Sequence, residues 1–311
     1  MKINFHGVRG SYPKTGEHFS KIGGNTSCVS ITKEKFGKIH RIIIDSGTGI
    51  IDLGNEIISN FFKNSESLNM SIFFTHLHPD HTQGFPFFAP NYFKNSTIHL
   101  FGMETLKKNI GKILSDEMVP PTFPIEYHDL KSNRKNYVVE DNDIVFINIT
   151  VKDYTVSSNQ TANSLFKIHC LKSYAPSHPQ QGSMYYKIID LEDNRSIGCI
   201  WDIESIYGGD QRVISFFKGT DVIIHDTQYT EEEYNSDKIV VQGFGHSTYK
   251  MAIENAVKIG CSKLIGFHYN PKHTDDFLFN IKEKVKNESI ENKYSLDFDL
   301  AIEGNSLDIS K

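Results

Sequence analysis

The chain lacks most of what would mark export, membrane insertion or the coating of nucleic acid. No apolar run approaches the ~20 residues of a membrane-spanning helix, so no membrane span is expected. The opening MKINFHGVRG has one lysine and no apolar h-region, and predicts no signal peptide. Only four cysteines occur, Cys28, Cys170, Cys199 and Cys261, and no two form a CxxC pair. That scatter argues against a disulfide framework and reads as reduced core thiols in a cytoplasmic protein. Positive charge is not in excess: 33 lysines and arginines face 38 acidic residues, a net charge of −5. Surfaces that grip nucleic acid broadly are normally basic, so such a surface is disfavoured. Internal repeats, low-complexity tracts and clear linkers are missing too. One domain over 1–311 is the simplest expectation, with 142–166 a polar, irregular stretch suited to a flap or a dimer contact. A homodimer stays open.

What is present is concentrated in 71–84, SIFFTHLHPDHTQG. Ile72, Phe73 and Phe74 read as the end of a buried strand. Four of the next residues can bind metal: His76, His78, Asp80 and His81. His76 and His78 are two apart, so in extended backbone they face the same side. Pro79 suits the first turn of a helix, which swings Asp80 and His81 back toward the same point. One bend thus presents two pairs of ligands.

HxHxDH after an apolar strand resembles the metal-binding signature of the metallo-β-lactamase superfamily. Further segments resemble its phosphodiesterase and ribonuclease Z-like branch: GVRGS at 7–11, GGNTSC at 23–28, GFPFF at 84–88, HDTQY at 225–229, GHST at 245–248 and FHYNP at 267–271. The resemblance spans nearly the whole chain and implies a four-layer αββα sandwich with ligands along one edge. It implies His178 as the third metal motif, Asp202 (ending IGCIWD) as a carboxylate shared by two metals, and His268 as the last ligand. The expected first metal is held by His76, His78 and His178, the second by Asp80, His81 and His268, with Asp202 shared. Asp45, after the apolar RIII, matches an aspartate that supports the ligand loop, where a carboxylate orients a ligating histidine through its free ring N–H. Nitrogen and carboxylate donors without thiolate suit two zinc ions, with manganese or iron as alternatives.

By the same resemblance a hydroxide held between two ions attacks phosphorus, Asp80 orients it, and His246 of GHST protonates the leaving oxygen. Flavodiiron relatives usually carry glutamate where His78 stands, and zinc β-lactamases often carry cysteine where Asp202 stands, so redox and β-lactam chemistry lose ground. Affinity for a long RNA backbone comes mainly from lysine and arginine contacts, and the only dense basic run is Lys131–Lys135. The expectation is therefore a phosphodiesterase acting on a small phosphodiester such as a cyclic nucleotide. The alternatives are a ribonuclease Z-like RNA 3′-end endonuclease and a non-catalytic, metal-dependent nucleotide sensor. Two departures from the family bear on this: Tyr185-Tyr186 replaces a glycine-tyrosine pair and is expected to narrow the site, and Asn270 stands where an acid is usual.

Overall fold

A computed structural model describes residues 1–64, 66–173, 182–292 and 294–310. The strands in chain order are β1 (Lys2–Gly7), β2 (Cys28–Lys35), β3 (Lys38–Ile44), β4 (Glu66–Phe73), β5 (Thr97–Gly102), β6 (Asn133–Val138), β7 (Ile144–Ile149), β8 (Tyr154–Ser157), β9 (Ser164–Lys172), β10 (Met184–Asp190), β11 (Arg195–Ile200), β12 (Val222–Asp226), β13 (Lys263–Phe267), β14 (Asp297–Leu300) and β15 (Ser306–Asp308). They form a seven-stranded sheet in the order β15-β1-β2-β3-β4-β5-β6 and an eight-stranded sheet in the order β14-β13-β12-β11-β10-β9-β7-β8. The helices are α1 (Ile50–Phe62), α2 (Pro79–Thr82), α3 (Ile110–Glu117), α4 (Gln211–Phe217), α5 (Glu231–Tyr234), α6 (Tyr249–Ile259) and α7 (Asp275–Glu291).

The layering follows from strands that are apolar on both faces. Successive side chains of a strand point to opposite sides. Ile42 and Ile44 of β3 accordingly join one core cluster with Phe166, Ile188 and Cys199 of the other sheet, whereas Ile43 joins a second cluster with Ile50, Leu53 and Ile57 of α1. Phe73 faces the other sheet, and its neighbours Ile72 and Phe74 face the helical layer. Each sheet is thus sealed between its partner sheet and helices. The result is the four-layer αββα sandwich of the metallo-β-lactamase fold. No helix among the described residues is long and apolar enough to cross a membrane, and all four cysteines are buried and free.

α1 buries Ile50, Leu53 and Ile57. α6 is capped by the Thr248 side chain and stopped by Gly260 at φ 78°. Phe85 and Phe88 of the GFPFF run are fully buried, while Phe87 is exposed.

α3 begins only at Ile110: Leu106 and Lys107 have positive φ, and the Asn109 side chain caps the start by accepting from the Lys112 amide. Two expectations need correction. The stretch 142–166 is not irregular. It forms β7, β8 and the start of β9, because its polar residues fall on a hairpin at the rim while Val145, Ile147, Ile149 and Leu165 enter the core. Tyr185 and Tyr186 add no bulk to the site mouth. Both are buried: the Tyr186 hydroxyl donates to Phe74 O at 2.6 Å, and that of Tyr185 reaches Asp202 O at 3.4 Å from beneath.

Candidate metal centre

The candidate residues emerge where strands stop. Asp45 follows β3, His76 comes three residues after β4, Asp202 two after β11, and His268 directly after β13. Three of them hold left-handed backbone: Asp45 at φ 60°, Asp202 at φ 54° and His268 at φ 60°. That conformation costs a non-glycine residue of order 1–3 kcal/mol. It turns each side chain sharply off its strand toward one edge of the sandwich. Pro79 stands at the first position of α2, as the sequence implied, and this single turn carries Asp80 and His81 back under His76.

The donor atoms converge. His81 Nε2 lies 3.3 Å from Asp80 Oδ2 and 3.2 Å from Asp202 Oδ2. His268 Nε2 lies 3.3 Å from each of the same two oxygens. His76 Nε2 is 3.6 Å from Asp202 Oδ1. Three overlapping groups, His76–His81–Asp202, Asp80–His81–His268 and Asp202–His246–His268, each keep one donor per residue within 4.8 Å of the others. Asp202 faces His76 through Oδ1 and faces His81 and His268 through Oδ2. The His78 ring packs edge-on against His76, centroids 4.4 Å apart. His178, expected as a third ligand to the first metal, lies outside the described residues.

The donor set fits divalent cations, and His81 shows why. Its Nδ1 is 2.7 Å from Asp45 Oδ2, which fixes the ring proton there and leaves a lone pair on Nε2. That nitrogen is buried, makes no hydrogen bond, and faces oxygens of two carboxylates. Lone pair against lone pair is repulsive unless positive charge sits between them, supplied by a metal cation or, without one, by a proton on Nε2. The protonation balance shows how strongly the surroundings favour that charge. Burial opposes charge on His81, yet Asp80, Asp202 and Asp45 push its pKa well above the ordinary value. Burial also works against ionised Asp80 and Asp202, but the neighbouring histidines hold both far below the usual carboxylate range. His76 moves the other way, lowered by burial and then by His81, as a neutral ligand requires.

A second ring of contacts, unread from sequence, supports these side chains. Asp45 accepts from the Thr75 amide at 2.7 Å, the Thr75 hydroxyl at 2.8 Å and Trp201 Nε1 at 2.8 Å, so the chain's one tryptophan braces the carboxylate that orients His81. The Ser11 amide donates to Asp80 Oδ2 at 2.7 Å. Gly10 lies so close to His268 that a Cβ there would collide with the imidazole, which explains the glycine of GVRGS. Its signal was visible as a glycine-rich turn, but not its partner.

His246 is buried, its Nδ1 2.9 Å from Asp226 Oδ2 and its ring stacked on His268 with centroids 5.0 Å apart. Asp226 also accepts from the amides of Asp202, Gln228 and Ser247, so one carboxylate locks the His246 loop to the Asp202 turn. His273 instead pairs with Glu233 at 2.8 Å, and Asp275 caps the amides of Lys21 and Ile22, which places both outside the ligand set. The Asn270 side chain accepts from the Lys272 amide within its own turn. Lys131–Lys135 falls on and before β6, an edge strand where lysine discourages sheet-to-sheet pairing, and Arg134 is spent on Ser132 O and Tyr127 O.

Because Asp45 acts through His81, Asp45→Ala is expected to weaken metal affinity roughly 10- to 100-fold, the usual effect of removing a partner behind a ligand. Competition with a metallochromic chelator measures it. Unchanged affinity would show that Thr75 and the α2 turn hold His81 without Asp45.

No family model matches the chain. Curated relatives do. Ribonuclease Z of Picrophilus torridus is 26% identical, covering 96% of this chain and 96% of that protein. Ribonuclease Z of Thermoplasma acidophilum is 24% identical, covering 97% of each. Among solved structures, the metallo-β-lactamase fold protein YhfI from Bacillus subtilis superposes with a TM-score of 0.63 at 14% identity over 98% of both chains. Human tRNase Z, short form, gives 0.59 at 15% identity over the full length of both.

Proposed function

We propose that this chain, which has the metallo-β-lactamase fold and is related along its length to ribonuclease Z, is a metal-dependent hydrolase that cleaves phosphodiester bonds, with an RNA 3′ end as its substrate class. The observation that carries the reading is the buried meeting of His76, His81, His268, Asp80 and Asp202, whose facing lone pairs call for cations. The RNA end is supported by the relatives, which are ribonuclease Z proteins over nearly their whole length. His76, His78 and Asp202 would hold one ion and Asp80, His81 and His268 the other, with Asp202 common to both. Divalent ions there would activate water near neutral pH and offset charge on the phosphoryl oxygens.

The chain's own groups do the rest. Asp80, pinned by the Ser11 amide, aligns the attacking water and accepts its hydrogen bond. His246, held through Nδ1 by Asp226, keeps Nε2 for the leaving oxygen and gives it a proton. Asp226 fixes the orientation of the ring for that transfer, as an orienting carboxylate does.

A second reading, a small phosphodiester such as a cyclic nucleotide, is favoured by one observation: the chain carries a net charge of −5, and its basic run on β6 is partly tied up internally. The two readings separate on one assay with metal-loaded protein. An RNA bearing an unprocessed 3′ trailer should be cut at a single junction, with kcat/KM far above that for any 3′,5′-cyclic nucleotide. Rapid cyclic-nucleotide turnover with intact RNA would reverse the order.

A further inference from the structure

We infer that the groove beside His76 and His78 is a nucleobase subsite for the ester that stays on the phosphorus. The inference rests on the phosphodiesterase reading and deepens it. A cavity of about 370 Å³ opens against these two histidines, within the size range of small-molecule sites. Its remaining walls are largely apolar: Leu77 from the ligand bend, Met103 and Leu106 from the turn after β5, and Ile113 on α3. Leu106 is 81% exposed on left-handed backbone at φ 52°. A large apolar side chain displayed in strained backbone beside a metal centre gains nothing from the core and is placed to cover a ligand.

The charges at the rim identify the occupant. Lys108 and Lys112 share the one carboxylate of Asp116, at 2.8 and 2.5 Å. Glu117 lines the same rim, where the Thr82 hydroxyl donates to it at 3.5 Å. Glu117 and Asp116 together balance the two lysines, so among the described residues no net positive charge is left for a second phosphate. A flat neutral heterocycle fits instead: its faces lie against Leu77, Met103, Leu106 and Ile113, and an exocyclic amine can donate to Glu117 in the way carboxylates read amino groups of bases. The groove shares its wall with the metal ligands, so a phosphate at the metals delivers one of its ester groups directly into it. His246 is not among the lining residues. The groove therefore serves the ester that is retained, and the proton donor serves the one that leaves.

Binding of product-like ligands tests this without requiring turnover. Metal-loaded full-length protein is titrated calorimetrically with cytidine 5′-monophosphate, whose base carries the exocyclic amine, and with methyl phosphate, which differ by the nucleoside. Apolar and stacking contact with one base is worth roughly 1–3 kcal/mol, so the nucleotide should bind about tenfold tighter or better. Leu106→Ala, at an exposed position that leaves the core alone, should lower that ratio about threefold, and Ile113→Trp, which fills the groove, should bring it close to one. Equal affinity for the two ligands in wild-type protein, or a ratio untouched in both variants, would overturn the subsite. Hydrolysis of thymidine 5′-(4-nitrophenyl phosphate) is followed in parallel. Nucleotide preference without any hydrolysis would sink the phosphodiesterase reading and leave the subsite standing.

Discussion

Asp202→Ala is expected to lose bound metal and with it nearly all turnover. One carboxylate is approached by three imidazoles, at 3.6 Å from His76, 3.2 Å from His81 and 3.3 Å from His268. Losing bound metal forfeits several kcal/mol of charge stabilisation, and at about 1.4 kcal/mol per factor of ten in rate this is roughly a thousandfold or more. Part of any loss could come from the backbone, since alanine fits the φ of 54° less well than aspartate. Asp202→Asn separates the two effects: asparagine tolerates left-handed backbone and keeps the shape while removing the charge. Elemental analysis should find Asp202→Asn depleted of metal although its thermal transition, measured with chelator in both proteins, stays near that of wild type. Full metal content in both variants would show that Asp202 is not a ligand.

His246→Ala is expected to do the opposite: retain the metals and lose catalysis. Its Nδ1 is committed to Asp226 at 2.9 Å and lies 4.0 Å from Asp202 Oδ1. That arrangement orients a proton donor. Removing a positioned general acid costs roughly 100- to 10,000-fold in kcat, and the loss should shrink for substrates with a good leaving group such as 4-nitrophenolate. The same geometry also puts a His246 donor within 4.8 Å of donors on Asp202 and His268, so metal content is the deciding control. If His246→Ala loses an ion, His246 is a ligand and not the acid. If it keeps both ions and full activity with poor leaving groups, it has no part in the reaction.

The sequence pointed to the candidate ligands far better than to their supports, and the reason is local. His76, Asp80 and His81 lie within six residues on a strand end and one helical turn, so their convergence could be read from backbone periods alone. Asp202 and His268 needed the motif order of a family, because nothing in IGCIWD or GFHY says where β11 and β13 lie relative to β4. The supports depend on sheet order. Trp201 reaches Asp45, and Ser11 reaches Asp80, across 156 and 69 residues of chain. The left-handed backbone at Asp45, Asp202 and His268 was equally hidden, since aspartate and histidine only permit it and the surrounding packing imposes it. The hairpin at 150–163 shows the converse error. Its polar composition masked the alternation in IVFINI that seats β7 in the core.

The most direct test of the account is the number of divalent ions bound per chain, determined by inductively coupled plasma mass spectrometry on protein loaded with zinc or manganese and freed of excess metal. The account predicts two per wild-type chain, with both reduced in Asp202→Asn and both retained in His246→Ala. One ion or none in folded wild-type protein would contradict a dinuclear centre, and with it the phosphodiester chemistry proposed for this edge of the sandwich.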